Sequence, residues 1–347
     1  MKHYDKSKWK LCLIADCLDY EQPGKYIIHT DIIPMLRNIP VLTANKSFII
    51  GYTEESDNIY DKGAVIIYDD FTMDMKYVDF AFKVKSSAIK LLTAKPGYNL
   101  YFIYSLLKQM NLSQQEHARS YISKVGRMYI PIPDLDEQTK IADQLSKTDE
   151  HISNLEALIS KQEAIKKTTL KMLLTPQSNW IHTNIGSLVT VLRGESLQSK
   201  NFVSGNIPVV AGGVGVAGYH NKSNRPVNTI TISASGANAG FINFYKKPIF
   251  ATDCSTISET NSLDTLFLYY VLKSKQDSIF KMQTGGAQPH VHPKDISRIN
   301  IFIPNLDEQQ RIATQLSEID AHIENLKQQL AKQRAIKQGL MDYFFGN

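Results

Sequence analysis

The sequence predicts an α+β protein made of two pseudo-repeated α+β domains joined by two long helices that form an antiparallel coiled coil. Two observations carry this prediction. The phrase IPDLDEQTKIADQLSKTDEHI (132–152) recurs near the end of the chain as IPNLDEQQRIATQLSEIDAHI (303–323). The two tryptophans, Trp9 and Trp180, stand 171 residues apart, the same separation as Asp136 and Asp307. A long unit has therefore been stated twice, beginning near each tryptophan.

The front of each unit varies and the back is nearly fixed. NIPV at 38–41 returns at 206–209, and LYFIYSLLK from Leu100 resembles LFLYYVLKS from Leu266, so the register slips from 171 to 168 and 166. Within the fronts, GAVIIYDD and NTITISASG are β-branched runs bounded by Gly and Asp and read as strands. GYNLYFIYSLLKQM and SLDTLFLYYVLKSKQ read as helices. The domains expected are 1–133 and 179–304, each a variable mixed α+β domain, with helical spacers at 134–178 and 305–347.

The fixed back is a helix with a coiled-coil seam. Ile141, Leu145, Ile152, Leu155 and Ile159 follow a 4-3 spacing with Thr148 between them, and Ile312, Leu316, Ile319, Ile323, Leu326 and Leu330 repeat it. Asp134 and Asn305 are N-cap residues, with Glu137 and Glu308 at capping-box spacing. Pro176 ends the first helix. A seam this narrow meets another helix, so the second helix is expected to return along the first, with the two globular domains at opposite ends.

Composition excludes several classes. With 39 Lys+Arg against 34 Asp+Glu the chain carries +5, which permits a polyanionic partner. Three scattered cysteines suit a reducing compartment. The N-terminal MKHYDKSKWK has no apolar core and no apolar run is long enough to span a bilayer, so a cytoplasmic location is expected. GVGVAG (213–218) fits a dinucleotide fingerprint only in outline. No helix or properly spaced acid follows, so a Gly-rich turn is expected. HVH (290–292) lacks a third metal ligand. YDDF (68–71) offers paired carboxylates, but the second copy lacks them and a surface turn is expected. No catalytic constellation and no metal site emerges.

These features converge on a known family. The chain resembles the specificity subunit of type I restriction–modification systems, through IPIPDLDEQTKIADQL and INIFIPNLDEQQRIATQLSEIDAHI with HARSYISKV and TGGAQPHVHPKDI just upstream. The resemblance implies a noncatalytic subunit whose two recognition domains each read one half of a split double-stranded DNA target. It also implies helices that bind two methylation subunits carrying S-adenosylmethionine, and ATP-driven motor/nuclease subunits that join for cleavage. Base and phosphate contacts are expected from Arg119, Tyr121 and Lys124 in the first domain. In the second they are expected from Lys222, Arg225, Gln288, His290, His292 and Lys294. Leu135, Asp136, Glu137 and Gln138, with Leu306, Asp307, Glu308 and Gln309, form the same expected partner surface twice. The competing readings are a DNA-modifying enzyme (nuclease or methyltransferase) with its own active site, or a structural coiled-coil scaffold.

Overall fold

The structure, a computed structural model, describes residues 6–33, 39–44, 47–112, 119–258, 263–286 and 288–346. Asn38, His117, Ala118, Ser262 and Ala287 of the motifs above lie outside these residues. The chain forms two compact units, one of residues 1–156 and 329–347, the other of residues 157–328. Each long helix, Leu135–Leu173 and Leu306–Phe345, thus contributes one part to each unit.

The first unit holds a four-stranded antiparallel sheet in the order Leu18–Glu21, Ile89–Ala94, Val65–Asp69, Met75–Val78. Beside it is a three-stranded sheet of Ile49–Thr53, Ile39–Leu42 and Lys83–Val84, the last pairing parallel. The second unit repeats this strand for strand. Its four-stranded sheet runs Leu192–Arg193, Cys254–Ile257, Thr229–Ser233, Ile242–Tyr245, and its three-stranded sheet runs Val216–His220, Ile207–Val210, Phe250–Ala251. Even the irregularity repeats: the register shifts between Val41 and Leu42 and between Val209 and Val210. The glycine opposite each bulge is crowded. A Cβ on Gly51 would fall 2.1 Å from Ile32, and one on Gly218 would fall 2.5 Å from Phe202.

The two β-branched runs predicted as strands are wholly buried, as expected for central strands covered on both faces. The predicted helices span Leu100–Gln109 and Thr265–Ser274, capped by the Asn99 and Asp264 side chains, which accept from Phe102 N (3.0 Å) and Phe267 N (2.7 Å). Trp9 packs edge-on against Phe102, and Trp180 against Phe267, at 5.9 and 6.2 Å. GVGVAG is the expected Gly-rich turn: it joins the strands Ile207–Val210 and Val216–His220 as a hairpin, and its latter half begins the second strand.

A two-stranded antiparallel clasp leads into each long helix, Lys10–Leu13 with Tyr129–Ile132 and Ile181–Asn184 with Asn300–Ile303. Each helix then starts inside a globular core. In the first unit Ile141, Ala142 and Leu145 join a cluster with Ile103 and Leu106, completed by Met341 and Phe344 of the other long helix. In the second, Ile312, Ala313 and Leu316 pack with Phe267 and Leu268, with Leu170, Leu173 and Leu174 against them. Further along, Leu155, Ile159, Ile323 and Leu326 are buried, while Ile152, Ile319 and Leu330 are half-buried.

Ion pairs fix the helix direction within each unit. In the first, Asp149 meets Lys337 at 2.5 Å and Glu156 meets Arg334 at 2.7 Å. In the second, Asp320 meets Lys166, and Lys327 meets Glu163 at 2.7 Å. The partner number falls as the helix number rises, so the pairing is antiparallel in both. The paired positions are the same 171 residues apart, with the charges exchanged in the outer pair, Glu156–Arg334 and Lys327–Glu163. Exposed pairs contribute little energy, so these pairs set direction and register while the apolar seam supplies the stability.

A buried ion pair lies in the first unit's smaller sheet. Lys83, fully buried, meets Glu55 at 2.5 Å, and Glu55 also accepts from His29 N and Thr30 N at 2.7 and 2.8 Å. The Lys83 ammonium, then these backbone donors, hold the Glu55 carboxyl down from its ordinary 4.5 to about 2.

Two outcomes follow from this packing. Replacing both Leu155 and Leu326 by Asp buries unpaired charge in the seam and should cost on the order of 3 kcal/mol or more in total. Thermal denaturation checks this, and an unchanged melting temperature would contradict it. The depressed Glu55 carboxyl contributes stability that is full above its unfolded value of 4.5 and lost as pH falls toward 2. Acid titration of Glu55→Gln should therefore show a shallower loss of stability across that window than the parent chain.

Candidate nucleic-acid interface

Charge separates along the chain as the fold does. Residues 1–133 hold 17 Lys+Arg against 14 Asp+Glu, and residues 179–304 hold 11 against 6. Residues 134–178 hold 6 against 8, and 305–347 hold 5 against 6. The variable domains are thus positive and the helices slightly negative, so an electrostatic attraction for nucleic acid belongs to the former.

In the first unit the segment entering the clasp is organised by Asp70. One carboxylate oxygen accepts from Ser120 N and Tyr121 N at 3.0 and 2.8 Å, and the other lies 3.2 Å from the buried Lys90 ammonium and 4.0 Å from Arg119. Asp69 accepts from Phe71 N and Thr72 N. YDDF is therefore a turn, as expected, but not a surface one: Asp69 and Asp70 are both buried and their carboxylates hold the fold. Arg119 stays exposed over the Phe71 ring, and Lys124 is exposed. Tyr121 requires a correction. It is 3% exposed, packed edge-on against Tyr20 and Tyr68, with its hydroxyl unpartnered among the described residues. Arg119 precedes the turn of residues 121–124 and stays exposed, while Tyr121 opens that turn and is buried.

In the second unit, Val291 N donates to Ala234 O as Ser120 N donates to Asp70 O, so His290 and His292 take the places of Arg119 and Tyr121. Both imidazoles line an open polar cleft of about 300 Å³, together with Arg193, Ser196 and Asp253. The two rings are nearly parallel, 6.2 Å apart. Gln288, Lys294 and Lys222 are exposed. Among the described residues no group of three or more His, Cys, Asp or Glu side chains is arranged to hold a metal. Arg225 is a second correction. Its guanidinium is spent internally on Thr256 Oγ1 (2.8 Å), Asn224 O (2.7 Å) and Arg193 O (2.5 Å), with Glu195 at 3.5 Å, and its side chain is only 10% exposed. It braces the sheet edge rather than presenting a cation.

The repeated helix starts split into two roles. Gln138 and Gln309 are buried, contrary to their expected place on a partner surface. Gln138 Oε1 accepts from Asn99 N at 2.8 Å while its Nε2 donates to Pro133 O at 3.0 Å; Gln309 does the same with Asp264 N (2.9 Å) and Pro304 O (3.0 Å). Each glutamine ties the start of the long helix to the cap of the short one. Leu135 and Leu306 remain 46% and 37% exposed, and Asp136 and Asp307 are exposed. The N-caps form as predicted, with Asp134 and Asn305 accepting from Glu137 N and Glu308 N. The glutamates look elsewhere: Glu137 accepts from Trp9 Nε1 at 3.1 Å, and Glu308 pairs with Arg311 at 2.6 Å. Beside each helix start lies a cleft walled by a tryptophan, about 390 Å³ at Trp9 and 350 Å³ at Trp180.

Sequence reasoning missed Arg193 and Asp253, which the sheets bring to the cleft, and read Asp70 only as one of a pair of turn carboxylates. It also missed the paired contacts of Asp149 and Asp320. Tyr101 donates to Asp149 at 2.6 Å and Tyr270 to Asp320 at 2.9 Å. The recurrence of the two aspartates 171 apart was the available signal.

Among the described residues no helix is long and apolar enough to cross a membrane. The profile of the family described as type I restriction modification DNA specificity domain matches residues 7–166 and again 177–333. The specificity subunit of an Escherichia coli type I restriction enzyme is 27% identical over 95% of this chain and 91% of its own length. A putative type I specificity subunit of Mycoplasma pneumoniae is 28% identical over 49% of this chain and 46% of its own. The crystal structure of a type I restriction–modification S subunit from M. genitalium superposes with a TM-score of 0.83, covering 100% of this chain and 98% of that one at 19% identity, a likeness of fold. The chain belongs to the type I restriction modification DNA specificity family, with the family's domain present twice.

The buried glutamines generate a direct test of fold against surface. Gln138→Ala and Gln309→Ala each strand a backbone N–H and a carbonyl, and each should cost about 1–3 kcal/mol in urea unfolding. Asp136→Ala and Asp307→Ala, at exposed positions, should stay within about 0.5 kcal/mol. Equal effects from both sets would contradict the division of roles.

Proposed function

We propose that this chain is the DNA-reading subunit of a type I restriction–modification complex, recognising a split target with one word per variable domain and bringing two methylation subunits to it. The observation that supports it best is the twofold occurrence of the family's DNA specificity domain on two units with the same fold and different polar faces. In this reading exposed lysines such as Lys124, Lys222 and Lys294 fix register on phosphates. Arg119 in one unit, and Gln288, His290 and His292 in the other, reach base edges. Because these side chains differ between the units, the two words differ.

The matched surfaces at Leu135–Glu137 and Leu306–Glu308 are the seats for two copies of one partner, each offering an exposed leucine beside carboxylates. Chemistry is left to the partners. Methyl transfer uses S-adenosylmethionine held by the methylation subunits, and ATP is consumed by motor/nuclease subunits. The specificity chain itself orients and selects.

Genome-wide mapping of methylated bases tests this, in cells carrying the chain and its methylation subunit and in cells lacking the chain. The expected result is one methylated motif, present only with the chain, made of two short words separated by a fixed number of unspecified bases. A continuous word, an unchanged map, or methyl transfer to DNA by the purified chain alone would overturn it.

A further inference from the structure

The cleft in the second unit is built in a way the first unit does not repeat. Arg193 ends the strand Leu192–Arg193, pairing with Ser255, and Gly194 N donates to Cys254 O at 2.8 Å. Close approach of these segments requires glycine, since a Cβ on Gly194 would lie 2.0 Å from Thr252 O. The backbone around Arg193 is thus fixed from both sides, while its side chain is exposed and has no hydrogen-bond or ion-pair partner among the described residues. Asp253 is fixed as firmly. Its carbonyl accepts from Ala234 N at 3.2 Å, and Ser235 Oγ donates to one oxygen of its carboxylate. That leaves a supported acceptor group in the same cleft as an unpartnered five-donor guanidinium on a fixed backbone, each beside a sheet terminus.

In the first unit the corresponding place is closed. Asp70 stands where the second unit has Ala234, and its carboxylate is consumed by Ser120 N, Tyr121 N and Lys90. The second unit has no acid at this buried place after the strand and carries an exposed one, Asp253, on the cleft wall.

The chemistry of the pair selects its ligand. In the major groove only a G·C pair shows two adjacent acceptors, guanine O6 and N7, beside an amino donor, cytosine N4. An arginine fork matches the first and a carboxylate the second. A phosphate would be attracted by Arg193 and repelled by Asp253, so backbone contact fits this cleft poorly. We propose that Arg193 and Asp253 read one G·C pair, or two adjacent ones, within the word of the second unit, Arg193 donating to guanine and Asp253 accepting from cytosine N4. This rests on the DNA-reading function proposed above.

The test uses the complete chain assembled with its methylation subunit and a panel of duplexes. These carry the motif found by methylation mapping and every single base-pair substitution in both words. Equilibrium binding by fluorescence anisotropy is measured for the parent, Asp253→Asn and Arg193→Gln, with melting temperatures confirming that each variant folds. The parent should discriminate by about tenfold or more against replacing one G·C pair in one word. Both variants should lose most of that discrimination at that pair or its neighbour and keep it elsewhere. Ser235→Ala, which removes only the carboxylate's support, should retain the preference in weakened form, so the assignment does not hang on one variant's folding. Unchanged discrimination in both variants, a uniform loss across all positions, or a loss at an A·T pair would overturn the inference while leaving the DNA-reading function intact. A parent complex that binds no member of the panel selectively would overturn both.

Discussion

Two carboxylates fix the helix register on which the rest of this architecture depends. Asp149 receives the Tyr101 hydroxyl from the short helix of its unit and the Lys337 ammonium from the other long helix. Asp320 receives Tyr270 and Lys166 in the same way. Each aspartate therefore joins three helices at one point. Charge-assisted bonds of this kind are directional, so they set the angular position and register of helices whose apolar seam would tolerate a slide. The contact is kept even where the sequence register is not. Tyr101 follows its helix cap, Asn99, by two residues, and Tyr270 follows its own, Asp264, by six, a turn further along. Burial and the neighbouring aspartate push both phenols upward, so they remain donors at any physiological pH.

From that constraint the remaining design follows. Each long helix begins in one unit's core and finishes in the other's, so neither unit is complete without residues from both helices. The frame is under tight physical demand, with Gln138 and Gln309 saturating backbone groups at the same places and the tryptophans packing on the same phenylalanines. The variable segments are held by the clasp, by sheet hydrogen bonds and by short helices packed on the long ones, contacts that do not use their exposed polar side chains. They can therefore change their polar faces without disturbing the frame. The first unit does so with an Asp70–Lys90 pair buried beneath Arg119, the second with an open cleft beside His290 and His292.

Much of this was legible in the residues. The seam, the N-caps, the stop before Pro176 and the paired strands and helices come from periodicity and local chemistry, which are properties of sequence neighbours. What was not legible depends on neighbours in space. Tyr121 and Arg119 are two residues apart, yet Tyr121 opens a turn held by Asp70 and carries its aromatic ring inward. Arg225 reads as a loop cation until the Arg193 carbonyl and Thr256 are brought to it. Lys83 and Lys90 look like surface lysines in sequence, yet both are buried because Glu55 and Asp70 come from other strands. Glu137 has capping-box spacing, but the Trp9 indole takes its carboxylate.

The central claim is that one frame carries two interchangeable readers. It is tested most directly by a chain in which residues 185–299 are replaced by a second copy of residues 14–128, segments equivalent at the 171-residue spacing. Methylated-base mapping of cells carrying this chain with the methylation subunit is the measurement. The account predicts a target that keeps the first unit's word, loses the second unit's word and carries the first word in both halves. Retention of the second unit's word in that chain would contradict it, because the frame and not the variable segment would then be reading DNA.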